Sequence, residues 1–149
     1  MQLTSSGFSD GDEMPIELGY KNGNETPALS INGIPEGTKS LALIMDDPDA
    51  MGAVGKVWVH WVVWNIDTTK EFITGNPQES GFVEGMTDFG EVGYGGPAPP
   101  DKRHTYVFKL YALDSNLETF PYNETKGDLL EVMEGHIIEQ TQLTGTYAP

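Results

Sequence analysis

Four short motifs carry the side chains of this sequence that are able to do chemistry: Asp47-Pro48-Asp49, Trp58-Val59-His60, Gly95-Gly96-Pro97 and His104-Thr105-Tyr106. Protonated imidazole, indole N–H and phenol O–H are all hydrogen-bond donors, so together they can hold an anion. A carboxylate of the aspartate turn bonded to one imidazole would fix its tautomer and favour its charged form. Glycine backbone at 95–96 can approach a ligand closely and offer N–H groups to it. Such a set suits a phosphate monoester or a carboxylate. The candidate binding residues are Asp47, Asp49, Trp58, His60, Gly96, Pro97, His104 and Tyr106.

The same residues have two other readings. A histidine among Trp and Val is commonly a satisfied core residue, and Asp-Pro-Asp is commonly only a turn. Alternatively, His60, His104 and Asp47 form a hydrolase cluster, acting as acid and base or as a two-His-one-carboxylate metal set. Against catalysis, no Ser adjoins the motifs as a nucleophile, no His-x-x-Glu or His-x-x-x-His spacing occurs, and the chain has no Cys. The expectation is therefore a binding protein without cofactor or metal.

These side chains need elements to position them. Residues 39–47 are an apolar run ended by Asp-Pro-Asp, and 57–66 (VWVHWVVWNI) are apolar on both alternating faces, as in a strand covered on both sides. Residues 104–113 alternate His104, Tyr106, Phe108 and Leu110 on one face with Thr105, Val107, Lys109 and Tyr111 on the other. Trp58 and His60 thus share one face of their strand, as do His104 and Tyr106. Between the last two strands, residues 81–101 hold six Gly and three Pro, which makes a long loop of functional interest. Leu129, Leu130, Met133, Ile137 and Ile138 recur at helical spacing, predicting a helix near 125–142 with Thr125 or Asp128 as cap and His136 as part of its packing. Strands followed by one helix predict a mainly β, sandwich-like domain with a helical appendage.

The 149 residues fit one domain, 1–149. A net charge of -15, from 23 acidic and 8 basic side chains, repels nucleic acid and anionic lipid surfaces. Three of the few cations, Lys56, Lys102 and Arg103, lie next to the motifs in sequence and would draw an anion in. The first residues lack the basic start and apolar run of a secretory signal, and no apolar stretch is long enough for a transmembrane helix, so a cytoplasmic protein is expected. The glycosylation triplets at Asn24 and Asn123 carry little weight on their own.

In combination, the strings DPDA, VWVHWVVWNI, DFG, GYGGPAPP, HTYVFKLYALD and GHIIEQTQLTGTY resemble the bacterial and archaeal branch of the phosphatidylethanolamine-binding (Raf kinase inhibitor-like) protein family. That resemblance implies a two-sheet antiparallel β-sandwich with a pocket for phosphate-like anions and phospholipid head groups. It also implies a partner-protein role toward kinases or proteases in some lineages. By motif, it puts Asp47 and Asp49 at the pocket rim, Trp58 and His60 in its wall, Gly96 and Pro97 on a bordering loop, and His104 and Tyr106 on the next strand. Three departures stand out: Met51 where the family commonly has Pro, Thr105 where it has Arg, and Ala98 where it has Cys.

Overall fold

The computed structural model describes residues 1–73, 81–118 and 124–149, so the triplet beginning at Asn123 lies partly outside the described residues. Two antiparallel sheets face each other. The smaller contains β1 (Gln2–Ser5), β2 (Leu29–Asn32) and β5 (Phe72–Ile73) in the order β1-β2-β5. The larger contains β3 (Ser40–Asp47), β4 (Trp58–Ile66), β6 (Val83–Glu84), β7 (His104–Leu113) and β8 (Ile137–Tyr147) in the order β6-β4-β3-β7-β8. The three strands expected to carry the site begin within one residue of their predicted starts and lie side by side, with β3 between β4 and β7.

β3 is apolar on both faces because both faces are covered. Leu41, Leu43 and Met45 look inward to the core shared with the small sheet, where Leu3, Leu29, Ile31 and Ile73 meet them. Ala42 and Ile44 look outward to a second core capped by Leu129 and Met133. Burying each large aliphatic side chain is worth about 2 kcal/mol relative to leaving it in water. β7 keeps the predicted alternation: Tyr106, Phe108 and Leu110 face the inner core and Tyr111 the outer one.

β4 breaks the simple alternation. Met45 pairs with Trp61 but the next β3 residue, Asp46, pairs with Val59, leaving His60 as the extra residue of a β-bulge. The bulge turns His60 to the same inner side as Trp61, while Val59 packs against the outer core.

The C-terminal helix is shorter than its spacing suggests. α1 (Ala50–Val54) follows the aspartate turn, and α2 covers only Lys126–Met133. The Thr125 side chain caps the Asp128 N–H while Asp128 Oδ2 accepts from the Thr125 N–H, a capping box at the expected start. The chain then turns at Gly135, whose φ of 83° is readily available only to glycine, and residues 137–147 enter the large sheet as β8. Ile137 and Ile138, at 42% and 41% exposure, are therefore not core, and their helical spacing to Met133 was coincidental. His136 does not pack in a helix either; it lies in the turn with Nδ1 on Asp114 Oδ1 at 2.8 Å. Beside the packing of Leu129 and Met133, Lys126 ties α2 to the sheet, its ammonium donating to the buried Asp46 Oδ2 at 2.7 Å on the outer face of β3. Among the described residues, no helix is long and apolar enough to cross a membrane.

Candidate functional site

At the C-terminal end of β3 the inner core opens into a cavity of about 240 Å³. Asp47, Trp58, His60 and His104 line it, together with Ala50, Ala53 and Val54 of α1 and with Phe89, Ala98 and Pro100 of the glycine- and proline-rich loop. Strand order explains the convergence. Asp47 ends β3, Trp58 opposite it begins β4, and His104 begins β7.

His104 is fully buried and both ring nitrogens are taken. Nδ1 donates to Asp47 Oδ2 at 2.6 Å, and Nε2 donates to Asp101 Oδ1 at 2.7 Å. Burial by itself would lower its pKa, but the hydrogen bonds and charges of the two carboxylates outweigh it and hold the imidazole above its ordinary value. Asp47 is in turn fixed by the Ala50 N–H, which donates to Oδ1 at 3.1 Å. His60 behaves oppposite to its neighbour. Burial depresses its pKa, and this exceeds the raising effect of the Gly95 carbonyl, which accepts from Nδ1 at 2.6 Å, and of Asp47. Since Nδ1 carries the proton, Nε2 of the neutral ring is an acceptor.

Tyr106 lies beneath the cavity, its ring edge-on to His60 with centroids 5.1 Å apart. Burial first, and then the Asp47 carboxylate, hold its phenol well above the usual range. Its hydroxyl is buried and makes no hydrogen bond of good geometry, although the Ala98 backbone and the Asp47 carboxylate are near enough to engage it weakly, and Nε1 of the cavity-lining Trp58 is buried without a partner among the described residues.

The remaining predicted residues stand behind the wall. Asp49 Oδ2 accepts from the Thr105 N–H at 2.8 Å, tying the turn to β7. Thr105 points outward as its alternation requires, and Met51 is an exposed residue of α1. The glycines approach protein rather than open space. Gly95 N–H donates to the His60 carbonyl and Gly96 N–H to Asn24 Oδ1, while the Pro97 carbonyl accepts from Tyr20 N–H. Asn24 Nδ2 also bonds the Tyr94 carbonyl, so the first glycosylation triplet has a structural use for its side chain. A Cβ on Gly96 would stand 1.9 Å from the Leu18 carbonyl oxygen. Gly96→Ala is therefore expected to cost about 3 kcal/mol of stability, because backbone and not a flexible side chain must move; denaturant unfolding measures it.

Two of the three neighbouring cations are engaged by carboxylates, Lys56 while its ammonium also stands 5.8 Å from the centroid of the Trp58 ring. Lys56 pairs with Asp88 at 2.8 Å, and Arg103 with Glu13 at 3.1 Å. Two groups at or near the site escaped the motif reading. Phe89 stacks on Tyr20 with centroids 4.2 Å apart and meets Trp58 and His60 edge-on. Asp101 lies three residues before His104, a spacing within a loop that gives no local signal of contact. Among the described residues, no three His, Asp or Glu side chains are grouped to hold a metal ion.

The fold and site together define a β-sandwich with a histidine–carboxylate cavity at one end of its larger sheet. The sequence profile of the family described as phosphatidylethanolamine-binding protein matches residues 4–148. The chain belongs to the phosphatidylethanolamine-binding protein family. It is 41% identical over 152 aligned positions to a UPF0098 protein of Methanothermobacter thermautotrophicus, covering 99% of this chain and 98% of that one. A solved structure of a putative phosphatidylethanolamine-binding protein homologue from Chlamydia trachomatis superposes with a TM-score of 0.89 at 39% identity, covering 98% and 95% of the two chains. E. coli YbcL, described as a new member of the mammalian family, gives 0.88 at 32% identity, covering 98% and 96%.

Proposed function

We propose that the cavity binds a small anion: a phosphate monoester, a phospholipid head group or a carboxylate. The observation that carries this reading is the Trp58 Nε1–H, buried without a hydrogen-bond partner among the described residues, together with the weakly engaged Tyr106 O–H and an imidazole whose charged form two carboxylates favour. A buried donor left unpaired costs about 1–3 kcal/mol, and an anion seated there would recover that loss. Ala53, Val54 and Phe89 add apolar surface to the cavity wall, Ala53 and Val54 on its solvent-exposed side.

Tyr106→Phe separates this reading from a purely structural one. Removing a buried hydroxyl that makes no hydrogen bond of good geometry should leave the free protein about as stable or more so. The same substitution should weaken binding of phenyl phosphate by about fivefold, the worth of one hydrogen bond. Calorimetric titration with a melting curve reads both; unchanged affinity would remove the hydroxyl from the anion site.

A hydrolase is the second reading, favoured by one observation. Two histidines lining one cavity are pushed in opposite directions, as an acid and a base would be. A phosphatase and esterase screen tests it. Residence in the cytoplasm, and regulation of a kinase or protease as the family likeness suggests, belong to the same proposal, and fractionation with pull-down from native extract tests them.

A further inference from the structure

We propose that the cavity takes its anion with one proton still on it: a phosphate monoester as the monoanion, whose P–OH donates to His60 Nε2 while an ionised oxygen accepts from Trp58 Nε1–H. This rests on the anion-binding reading above and names the class of anion that the site selects.

The side chains that line the cavity hold more free acceptors than free donors. His104 has no N–H to give a ligand, because Nδ1 donates to Asp47 and Nε2 to Asp101. Tyr106, beneath the cavity, is weakly engaged by the Asp47 carboxylate and the Ala98 backbone. Trp58 Nε1–H, buried and without a partner among the described residues, is the donor left over. On the acceptor side, Asp47 takes one hydrogen bond on each oxygen, from the Ala50 N–H and from His104 Nδ1–H, so each oxygen keeps a lone pair.

His60 supplies the other acceptor. Its Nδ1–H is committed to the Gly95 carbonyl at 2.6 Å, so the neutral ring carries its lone pair on Nε2. Nε2 has no hydrogen-bond partner among the described residues, yet it is not one of the buried polar atoms cut off from solvent, and the open space beside the ring is the cavity that His60 lines. Burial keeps the ring below its ordinary pKa, against the Gly95 and Gly96 backbone and the charges of Asp47 and Asp46, which favour a proton on it. The other titratable neighbours are Tyr106, edge-on to the ring, and His104 across the cavity.

An anion without a proton would set bare oxygens against the Nε2 lone pair and the Asp47 carboxylate. A sulfate ester, an ionised carboxylate and a phosphodiester head group all arrive in that form. A phosphate monoester, with a second pKa of about 6, still carries a P–OH in part near neutral pH, and that hydrogen turns the repulsion into a hydrogen bond.

Calorimetric titration of the full chain at about pH 6, near the monoester's second pKa, compares phenyl phosphate with phenyl sulfate and methyl phenyl phosphate, which have one fixed negative charge and no such proton. Counted on its monoanion, phenyl phosphate should bind about fivefold more tightly than either, the worth of one hydrogen bond. In that complex, nitrogen nuclear magnetic resonance should show His60 Nε2 still unprotonated. His60→Asn keeps an amide N–H near the Nδ1 position for the Gly95 carbonyl but has no acceptor where Nε2 stood, so it should bind phenyl phosphate and phenyl sulfate alike. Equal affinities in wild type, or tighter binding of the sulfate or the diester, would overturn the proposal and leave the anion reading standing. A proton on Nε2 in the complex, or a phosphate preference that survives His60→Asn, would overturn it as well. The wild-type comparison and the resonance decide whether or not the variant folds. If wild type binds none of the three probes, the anion reading falls and this one with it.

Discussion

His104→Gln is expected to lower the affinity for acetate at pH 6 by about tenfold or more and to leave the remaining binding nearly independent of pH. The side chain is buried, its charged form is favoured by two carboxylates at 2.6 and 2.7 Å, and glutamine can donate a hydrogen bond but carry no charge. In wild type, affinity for a carboxylate should be high below the His104 pKa and fall as pH rises through it. Because that pKa is raised, the fall lies above the ordinary histidine value of about 6.5. His60 cannot supply the same trend, since burial holds it neutral and its titration lies on the acid side. Calorimetry at several pH values decides the matter. A wild-type affinity constant from pH 6 to 9, or a variant with the same profile, would show that His104 serves the core alone.

The same pair makes a stability prediction. A folded-state pKa above the unfolded one means that His104 contributes stability fully below about pH 6.5, lost as pH rises through its folded value. His60, depressed by burial, works the other way: its contribution is present above about pH 6.5 and is lost as pH falls through its folded value. Asp47→Ala should cost about 3–5 kcal/mol near pH 6, because it leaves an imidazolium buried beside one exposed carboxylate and frees the Ala50 N–H. Asp47→Asn should cost less, since its carbonyl oxygen still accepts from Ala50. Denaturant unfolding with a double-mutant cycle against His104→Gln measures the coupling. A cycle showing no coupling would mean that the short contact contributes no net stability.

Much of this was legible from residue order. The alternation of His104, Tyr106, Phe108 and Leu110 put both chemical side chains on the buried face of β7, and that is where they are. Apolar residues on both faces of 39–47 and 57–66 called for strands covered on both sides, and the sheet places β3 and β4 in its interior. Thr125 announced the start of α2 through a capping contact that spans only three residues. Each of these features depends on neighbours close in sequence, where spacing alone sets which way a side chain points.

Other features depended on contacts between distant segments. The chain from 137 to 147 pairs with β7 because the sheet offers it an open edge, which outweighs a weak helical period ended by Gly135. Phe89 and the Leu18 carbonyl crowd Gly95 and Gly96, so packing within the protein already leaves no room for a Cβ at either position. Lys56 and Arg103, close to the motifs in sequence, are drawn to Asp88 and Glu13. Residue types and their alternation determined the strands and the chemical set of two imidazoles, a carboxylate, an indole and a phenol. Only the tertiary structure decided that a bulge opposite Met45 and Asp46 turns His60 inward, that Asp101 reaches His104, and that burial lowers the pKa of His60 while two carboxylates raise that of His104. Register and desolvation arise from strands pairing across the sheet, and no local stretch of sequence contains both partners.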